Sequence, residues 1–87
     1  MKSIFSPEYD VFRRCMIAAR KNANLTQATL AKAIKKPQSF VAKYENGERR
    51  LDVIEFLLIS CAIGVDPCEI LRQVEQACRS TSCEERI

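Results

Sequence analysis

The sequence predicts an all-α fold, a compact domain of five helices. Over most of the chain, apolar residues recur at three- and four-residue spacing, which is typical of helices with one buried side. Both glycines, Gly47 and Gly64, fall where such a pattern stops, as is expected of helix ends. Residues suited to a helix N-terminus precede the five apolar stretches: Ser6-Pro7, Thr26, Pro37, Asp52 and Asp66-Pro67.

The first helix is predicted from Ser6-Pro7-Glu8, which supplies a capping serine, a proline for the first turn and a favourable acid. It should end near residues 22–24. An apolar stripe at helical spacing identifies its core side, formed by Tyr9, Phe12, Met16 and Ala19.

Residues 25–52 predict two short helices that meet at an angle. Thr26 caps the first, Lys35-Lys36 interrupts the pattern, and Pro37 suits the first turn of the second, which is predicted over residues 37–46. A break of three to four residues between two helices is the signature of a helix-turn-helix. The residues expected to face inward are Leu25, Leu30, Ala31, Ile34, Val41 and Tyr44.

The fourth helix is predicted from an Asp52 cap to Ile63, and it has more apolar residues than one buried side requires. We assign its core side to Val53, Phe56, Leu57, Ser60 and Ile63. A second stripe predicts a homodimer surface, with helix five or the tail as the alternative cover; it consists of Ile54, Leu58, Cys61 and Val65.

The fifth helix is predicted from Asp66-Pro67, with an apolar side formed by Ile70, Leu71 and Val74. The sequence becomes polar after it. We therefore expect one domain over residues 1–78 and a flexible polar tail over residues 79–87.

Charge is divided unevenly along the 87 residues. Residues 1–50 carry a net +7 and residues 51–87 a net −4, which together make the formal charge of +3. The positive half contains the predicted helix-turn-helix, which favours a polyanion such as DNA as the partner. Scattered solvated charge is the alternative explanation.

Composition argues against several classes of protein. The chain has no histidine, no Gly-rich phosphate loop and no C-x-x-C pair, so neither an enzyme nor a zinc site is expected. Without an apolar signal peptide or a long apolar run, we expect a cytoplasmic chain with reduced cysteines and no membrane contact. Most of the five cysteines should be buried or half-buried, and Cys78 with Cys83 is the pair to consider for redox chemistry.

The motifs together resemble the lambda-repressor-like Cro/XRE family of DNA-binding proteins. The resemblance spans residues 12–71 and is carried by LTQ from Leu25, the Leu30-Ala31 pair, PQSFVAKYENGERR from Pro37, LDVIEF from Leu51, and AIGVDP from Ala62. It implies sequence-specific binding of double-stranded DNA by a homodimer at a near-palindromic operator, without a cofactor or small-molecule ligand. Repression is favoured over activation, and an antitoxin or adaptor module with the same fold is the alternative.

The resemblance also implies roles for individual residues. Base contacts fall to Gln38, Ser39 and Lys43, whereas Phe40 could touch a thymine methyl or pack back on the turn. Gln27 and Asn46 correspond to phosphate contacts, and Arg20 with Glu45 to a structural ion pair. Asn24 and Lys35 stand where glycine is usual. Further phosphate contacts are expected from the flanking basic residues Lys36, Arg49 and Arg50, the two arginines having a narrow minor groove as an alternative.

Overall fold

The computed structural model describes residues 6–81 of the chain and confirms the all-α fold with five helices. Those residues contain no β-strand. The helices are α1 (Pro7–Asn22), α2 (Gln27–Ala33), α3 (Gln38–Glu45), α4 (Val53–Ile63) and α5 (Pro67–Thr81). Within this part of the chain, none of the helices has the length and apolar character needed to cross a membrane.

Side-chain caps start the helices where the sequence placed them. Ser6 Oγ accepts from the Tyr9 amide at 3.1 Å, and Thr26 Oγ1 accepts from the Thr29 amide at 3.0 Å. Asp52 and Glu55 exchange side-chain-to-backbone bonds as a full capping box. Pro37 differs from the prediction: its ψ of 155° is extended, so it precedes α3 and the helix begins at Gln38.

Four residues with positive φ end helices or shape turns. The two glycines have φ of 81° and 88°, as their positions predicted. Asn24 at 62° and Lys35 at 60° adopt the same left-handed region without being glycine. Asparagine tolerates this conformation, whereas lysine there costs roughly 1 kcal/mol. The tight turn between α2 and α3 therefore keeps its shape at some expense in stability.

Every helix contributes to one apolar core. The buried residues are Met16 from α1, Leu30 and Ala31 from α2, Val41 and Tyr44 from α3, Phe56 and Ile59 from α4, and Ile70 from α5. Leu25 and Ile34, also expected inside, are half-buried. Because α2 and α3 together supply four of the core residues, the helix-turn-helix is part of the core and not an appendage.

The core side of α4 corrects the sequence prediction. Phe56 and Ser60 are buried as expected, but the side chain beside them is Ile59, which the prediction omitted. Val53 and Leu57 point outward and are 69% and 44% exposed. Apolar residues occupy nearly every position of α4, so periodicity gave no means of choosing its inward side, and packing against the other helices decided it.

The C-terminal end differs in part from expectation. Helix α5 runs to Thr81, so residues 79–81 of the predicted tail are helical. Residues 82–87, with Cys83 and the rest of that tail, lie outside the described residues. Cys15 and Cys78 are half-buried, but Cys61 and Cys68 are exposed, contrary to the expected burial of most cysteines.

We predict that Lys35→Gly raises the free energy of unfolding by about 1 kcal/mol, because glycine removes the left-handed strain at this φ of 60°. Lys32→Gly, within α2, is the matched control and should lower it by about 1 kcal/mol. Urea denaturation measures both. If both substitutions lowered stability, the turn would not be strained at Lys35.

Candidate nucleic-acid interface

The two helices of the candidate interface are joined by a turn over residues 34–37. The Ile34 amide donates to Leu30 O at 3.1 Å, and the Lys36 amide donates to Ala31 O at 2.9 Å. These bonds satisfy carbonyl groups at the end of α2 while the chain reverses direction through Lys35. The angle between α2 and α3 is therefore fixed by backbone bonds as well as by the core.

Helix α3 has one buried side and one exposed side. Val41, Tyr44 and Glu45 face the core, with at most 4% of each residue exposed. Gln38, Ser39 and Lys43 are all exposed. With 3.6 residues per turn, Ser39 and Lys43 lie roughly 100° and 140° around the helix from Gln38, so the three side chains share one broad exposed side. The residues predicted to touch bases are thus brought together at the surface.

Phe40 has the packed-back arrangement of the two alternatives that the sequence left open. Its ring is half-buried against the core, and its centroid lies 5.8 Å from that of Tyr44, edge to face. The Nζ of Lys36 lies 5.5 Å from the ring centroid, and the Cζ of Arg49 lies 4.6 Å from it. Two cationic side chains therefore surround an aromatic ring at the start of α3.

A buried ion pair holds the end of α3. Arg20 Nε donates to Glu45 Oε2 at 2.8 Å, and Arg20 Nη2 donates to Glu45 Oε1 at 3.0 Å. The residues are only 8% and 4% exposed. The hydrogen bond to Glu45 raises the pKa of Arg20, against the opposing effect of burial. A bidentate pair of this kind fixes orientation as well as distance.

Further hydrogen bonds join this pair to the loop after α1, to α2 and to a second arginine of α1. Arg20 Nη1 donates to Leu25 O at 2.7 Å, and Gln27 Nε2 donates to Glu45 Oε1 at 2.9 Å. Arg13 Nη1 also donates to the backbone carbonyl of Glu45. The sequence did not single out Arg13. Its charge-dense neighbours in α1 resemble any solvated helix side, so only the tertiary structure identifies it.

The residues expected to hold phosphates occupy different surroundings. Lys36, Asn46 and Arg50 are exposed beside α3. Gln27 is half-buried and bonded to Glu45, although its amide nitrogen carries a second hydrogen and its backbone amide lies at the start of α2. Arg50 also lies near α1, with its Cζ 4.7 Å from the Tyr9 ring centroid.

Arg49 differs from the other basic residues expected to hold phosphates, because its guanidinium is bonded to a carboxylate. Its Nη1 and Nη2 donate to the two carboxylate oxygens of Glu55 at 2.9 Å and 2.7 Å. These bonds, with the Asp52 amide next in importance, lower the pKa of Glu55 to about 2. Sequence reasoning missed Glu55 as a partner, although the D-x-x-E spacing of a capping box could have drawn attention to it.

The residues proposed for a dimer surface are mostly exposed. Ile54 and Leu58 are 64% and 56% exposed, and Cys61 is exposed on the same side of α4. Val65 differs, because it is half-buried and packs against the core. The outward-pointing Val53 and Leu57 join the others instead. The α4 face, as we name it, therefore consists of Val53, Ile54, Leu57, Leu58 and Cys61.

This fold and this outward helix define a helix-turn-helix protein of the DNA-binding class. The family model described as helix-turn-helix matches residues 16–70. The chain belongs to that family, in its Cro/XRE type, whose members are DNA-binding regulators of transcription. None of the curated proteins matches the chain at a significant level.

Solved structures show the same architecture. An XRE-family like protein from Pseudomonas syringae pv. tomato str. DC3000 is 44% identical, with a TM-score of 0.77 over 80% of this chain and 85% of that one. The restriction-modification controller protein C.AhdI from Aeromonas hydrophila is 27% identical, with a TM-score of 0.64 over 69% and 91% of the two chains. The clp gene regulator ClgR from Corynebacterium glutamicum, at 14% identity and a TM-score of 0.75 over 92% and 85%, shares the fold.

We predict that Glu45→Ala lowers the free energy of unfolding by about 3–5 kcal/mol, because it leaves the Arg20 charge buried without its carboxylate. Glu48→Ala, an exposed acid on the neighbouring turn, is the control and should change it by no more than about 0.5 kcal/mol. Urea denaturation at neutral pH compares them. Equal losses in the two variants would contradict a structural role for the pair.

Proposed function

We propose that this protein is a sequence-specific regulator that binds double-stranded DNA as a homodimer and inserts α3 into the major groove. The observation that carries the proposal is the division of α3 into a core side and an exposed side with Gln38, Ser39 and Lys43. A helix presented in this way fits the width of the major groove with its N-terminal residues at base edges.

The chemistry of the exposed side chains suits base recognition. Glutamine can bond adenine through both its amide groups, lysine favours the O6 and N7 of guanine, and serine can bond several bases. Gln38 and Ser39 occupy the first two positions of α3, and Lys43 follows about one turn later. Their chemistry therefore favours an operator half-site with an adenine and a guanine within reach of one helix.

Basic and amide groups around α3 would hold the DNA backbone. We assign phosphate contacts to Lys36, Asn46 and Arg50 and to the start of α2 at Gln27, where oriented backbone amides favour an anion. The net +7 of residues 1–50 supports this assignment, since it places positive charge on the part of the chain that contains both helices.

A homodimer would pair the α4 face of two copies. Four large apolar side chains on one side of a helix, each 44% to 69% exposed, support a partner surface. Twofold pairing would space the two α3 helices about one DNA turn, roughly 34 Å, apart on a near-palindromic operator. Repression needs only occupancy of such an operator, so we propose it in preference to activation.

A protein-interaction module, such as an antitoxin or adaptor, is the second candidate. The same α4 face supports it, because an apolar surface can bind an unrelated chain as well as a second copy. The two candidates differ in what DNA binding should show: an adaptor would bind duplexes weakly and without preference for sequence.

We predict that Gln38→Ala and Lys36→Ala weaken DNA binding in different ways. The first should cost roughly 1–3 kcal/mol at the cognate site alone, because it removes a base contact. The second should weaken cognate and scrambled duplexes alike and reduce the slope of log K against log salt by about one. Fluorescence titrations on an operator selected from random duplexes measure both, and indistinguishable behaviour would refute the assignment.

We predict that Leu58→Glu converts the dimer to a monomer, since it would bury a carboxylate in the apolar α4 face. Ala18→Glu introduces the same charge at an exposed position of α1 and should leave assembly unchanged. Sedimentation equilibrium of both variants, with circular dichroism to verify folding, decides the matter. A Leu58→Glu protein that still sediments as a dimer would exclude the α4 face as the interface.

A further inference from the structure

The Arg49 cluster consists of Arg49, Phe40 and Glu55. The guanidinium of Arg49 donates three hydrogen bonds: two to the Glu55 carboxylate, and one from Nη1 to the backbone carbonyl of Arg50 at 2.9 Å. Charge-assisted bidentate bonds of this kind fix the plane of the guanidinium as well as its position. The side chain is therefore oriented by the protein itself.

The guanidinium joins the beginnings of two helices. Its Cζ lies 4.6 Å from the ring centroid of Phe40, in the first turn of α3, while its carboxylate partner is the third residue of α4. Lysine can also make a cation–π contact, but only the planar guanidinium of arginine can form the bidentate fork and stack flat on a ring. Arg49 thus connects the first turn of α3 to α4, whereas the buried Arg20–Glu45 pair holds the last residue of α3.

Glu55 is itself fixed in place. Its Oε1 accepts from the Asp52 amide at 3.0 Å, which completes the cap of α4, and its side chain is 18% exposed. Glu55 is therefore held by the cap of α4 as well as by Arg49. A phosphate brought to Arg49 would also lie beside the negative charge of Glu55, which opposes binding.

We propose that Arg49 acts as a positioning residue for DNA reading and not as a phosphate contact. Through Glu55 it fixes the Phe40 end of α3 against α4, and with it the direction in which the neighbouring Gln38 and Ser39 point. This inference rests on the proposed function of α3. Helix α4 also carries the α4 face, through which the proposed dimer would form. The Arg49 cluster would therefore link the dimer contact to the orientation of α3 in each copy.

Four variants of the full chain test the proposal: Arg49→Ala, Arg49→Lys, Glu55→Gln, and Arg49→Ala combined with Glu55→Gln. We expect each to weaken binding to the selected operator about tenfold, with the salt slope unchanged and binding to scrambled duplexes nearly unaffected. Arg49→Lys should not restore operator binding, since lysine cannot form the two parallel bonds to Glu55 and stacks less well on the Phe40 ring. The double variant should bind the operator no more weakly than the single variants do, as expected when both residues belong to one interaction.

A phosphate contact would give the opposite pattern. Arg49→Lys would then retain affinity, Arg49→Ala would reduce the salt slope by about one, and Glu55→Gln would strengthen binding by removing a repelling charge. Any of these three results would overturn the proposal. Arg72→Ala breaks an exposed ion pair with Glu69 on α5 and serves as the control, in which operator binding should not change.

A measurement without DNA separates this inference from the proposed function. In the NMR spectrum of the free protein, side-chain protons of Arg49 should be shifted upfield by the Phe40 ring, and Glu55→Gln should abolish that shift. Unshifted Arg49 protons in the wild type, or an unchanged shift in Glu55→Gln, would overturn the positioning role. If the shift behaves as expected while the wild type shows no preference for any duplex, the proposed function fails instead.

Discussion

The buried bond between Arg20 and Glu45 is the constraint on which the candidate interface depends. One guanidinium reaches from α1 to the last residue of α3, and the same carboxylate accepts from Gln27 at the start of α2. Two charges removed from water are costly unless their geometry and additional hydrogen bonds compensate. Here both conditions are met, since Arg20 also bonds Leu25 O. The arrangement makes the orientation of α3 a consequence of the core.

Different kinds of interaction hold the two ends of α3. Its C-terminal end is held by the buried ion pair, and its N-terminal end by the Phe40 ring, which packs against the core and contacts the guanidinium of Arg49. Core contacts through Val41 lie between them. Three restraints therefore hold the eight-residue helix that carries the exposed side chains. A helix held in this way suits the proposed recognition, because its backbone need not be ordered in the binding step.

Parts of the candidate site could be predicted because local chemistry dictated them. Thr26 and Asp52 cap helices through bonds to residues three positions later, and Gly47 and Gly64 supply positive φ, so each feature is contained in a short segment. The partner of Arg49 could not be predicted in the same way. The bond from Arg49 to Glu55 depends on how the loop after α3 turns toward α4, which no local propensity encodes.

By itself the sequence determined the number and order of the helices, the side-chain caps at Ser6, Thr26 and Asp52, and the location of the helix-turn-helix, since these follow from periodicity and short-range hydrogen bonding. Only the tertiary structure decided which side of α4 is buried. Residues 53–59 contain Val53, Ile54, Leu57 and Leu58 as well as the buried Phe56 and Ile59, so hydrophobicity alone cannot rank them. Packing against the neighbouring helices buries Phe56, Ile59 and Ser60. The α4 face defined above stays exposed.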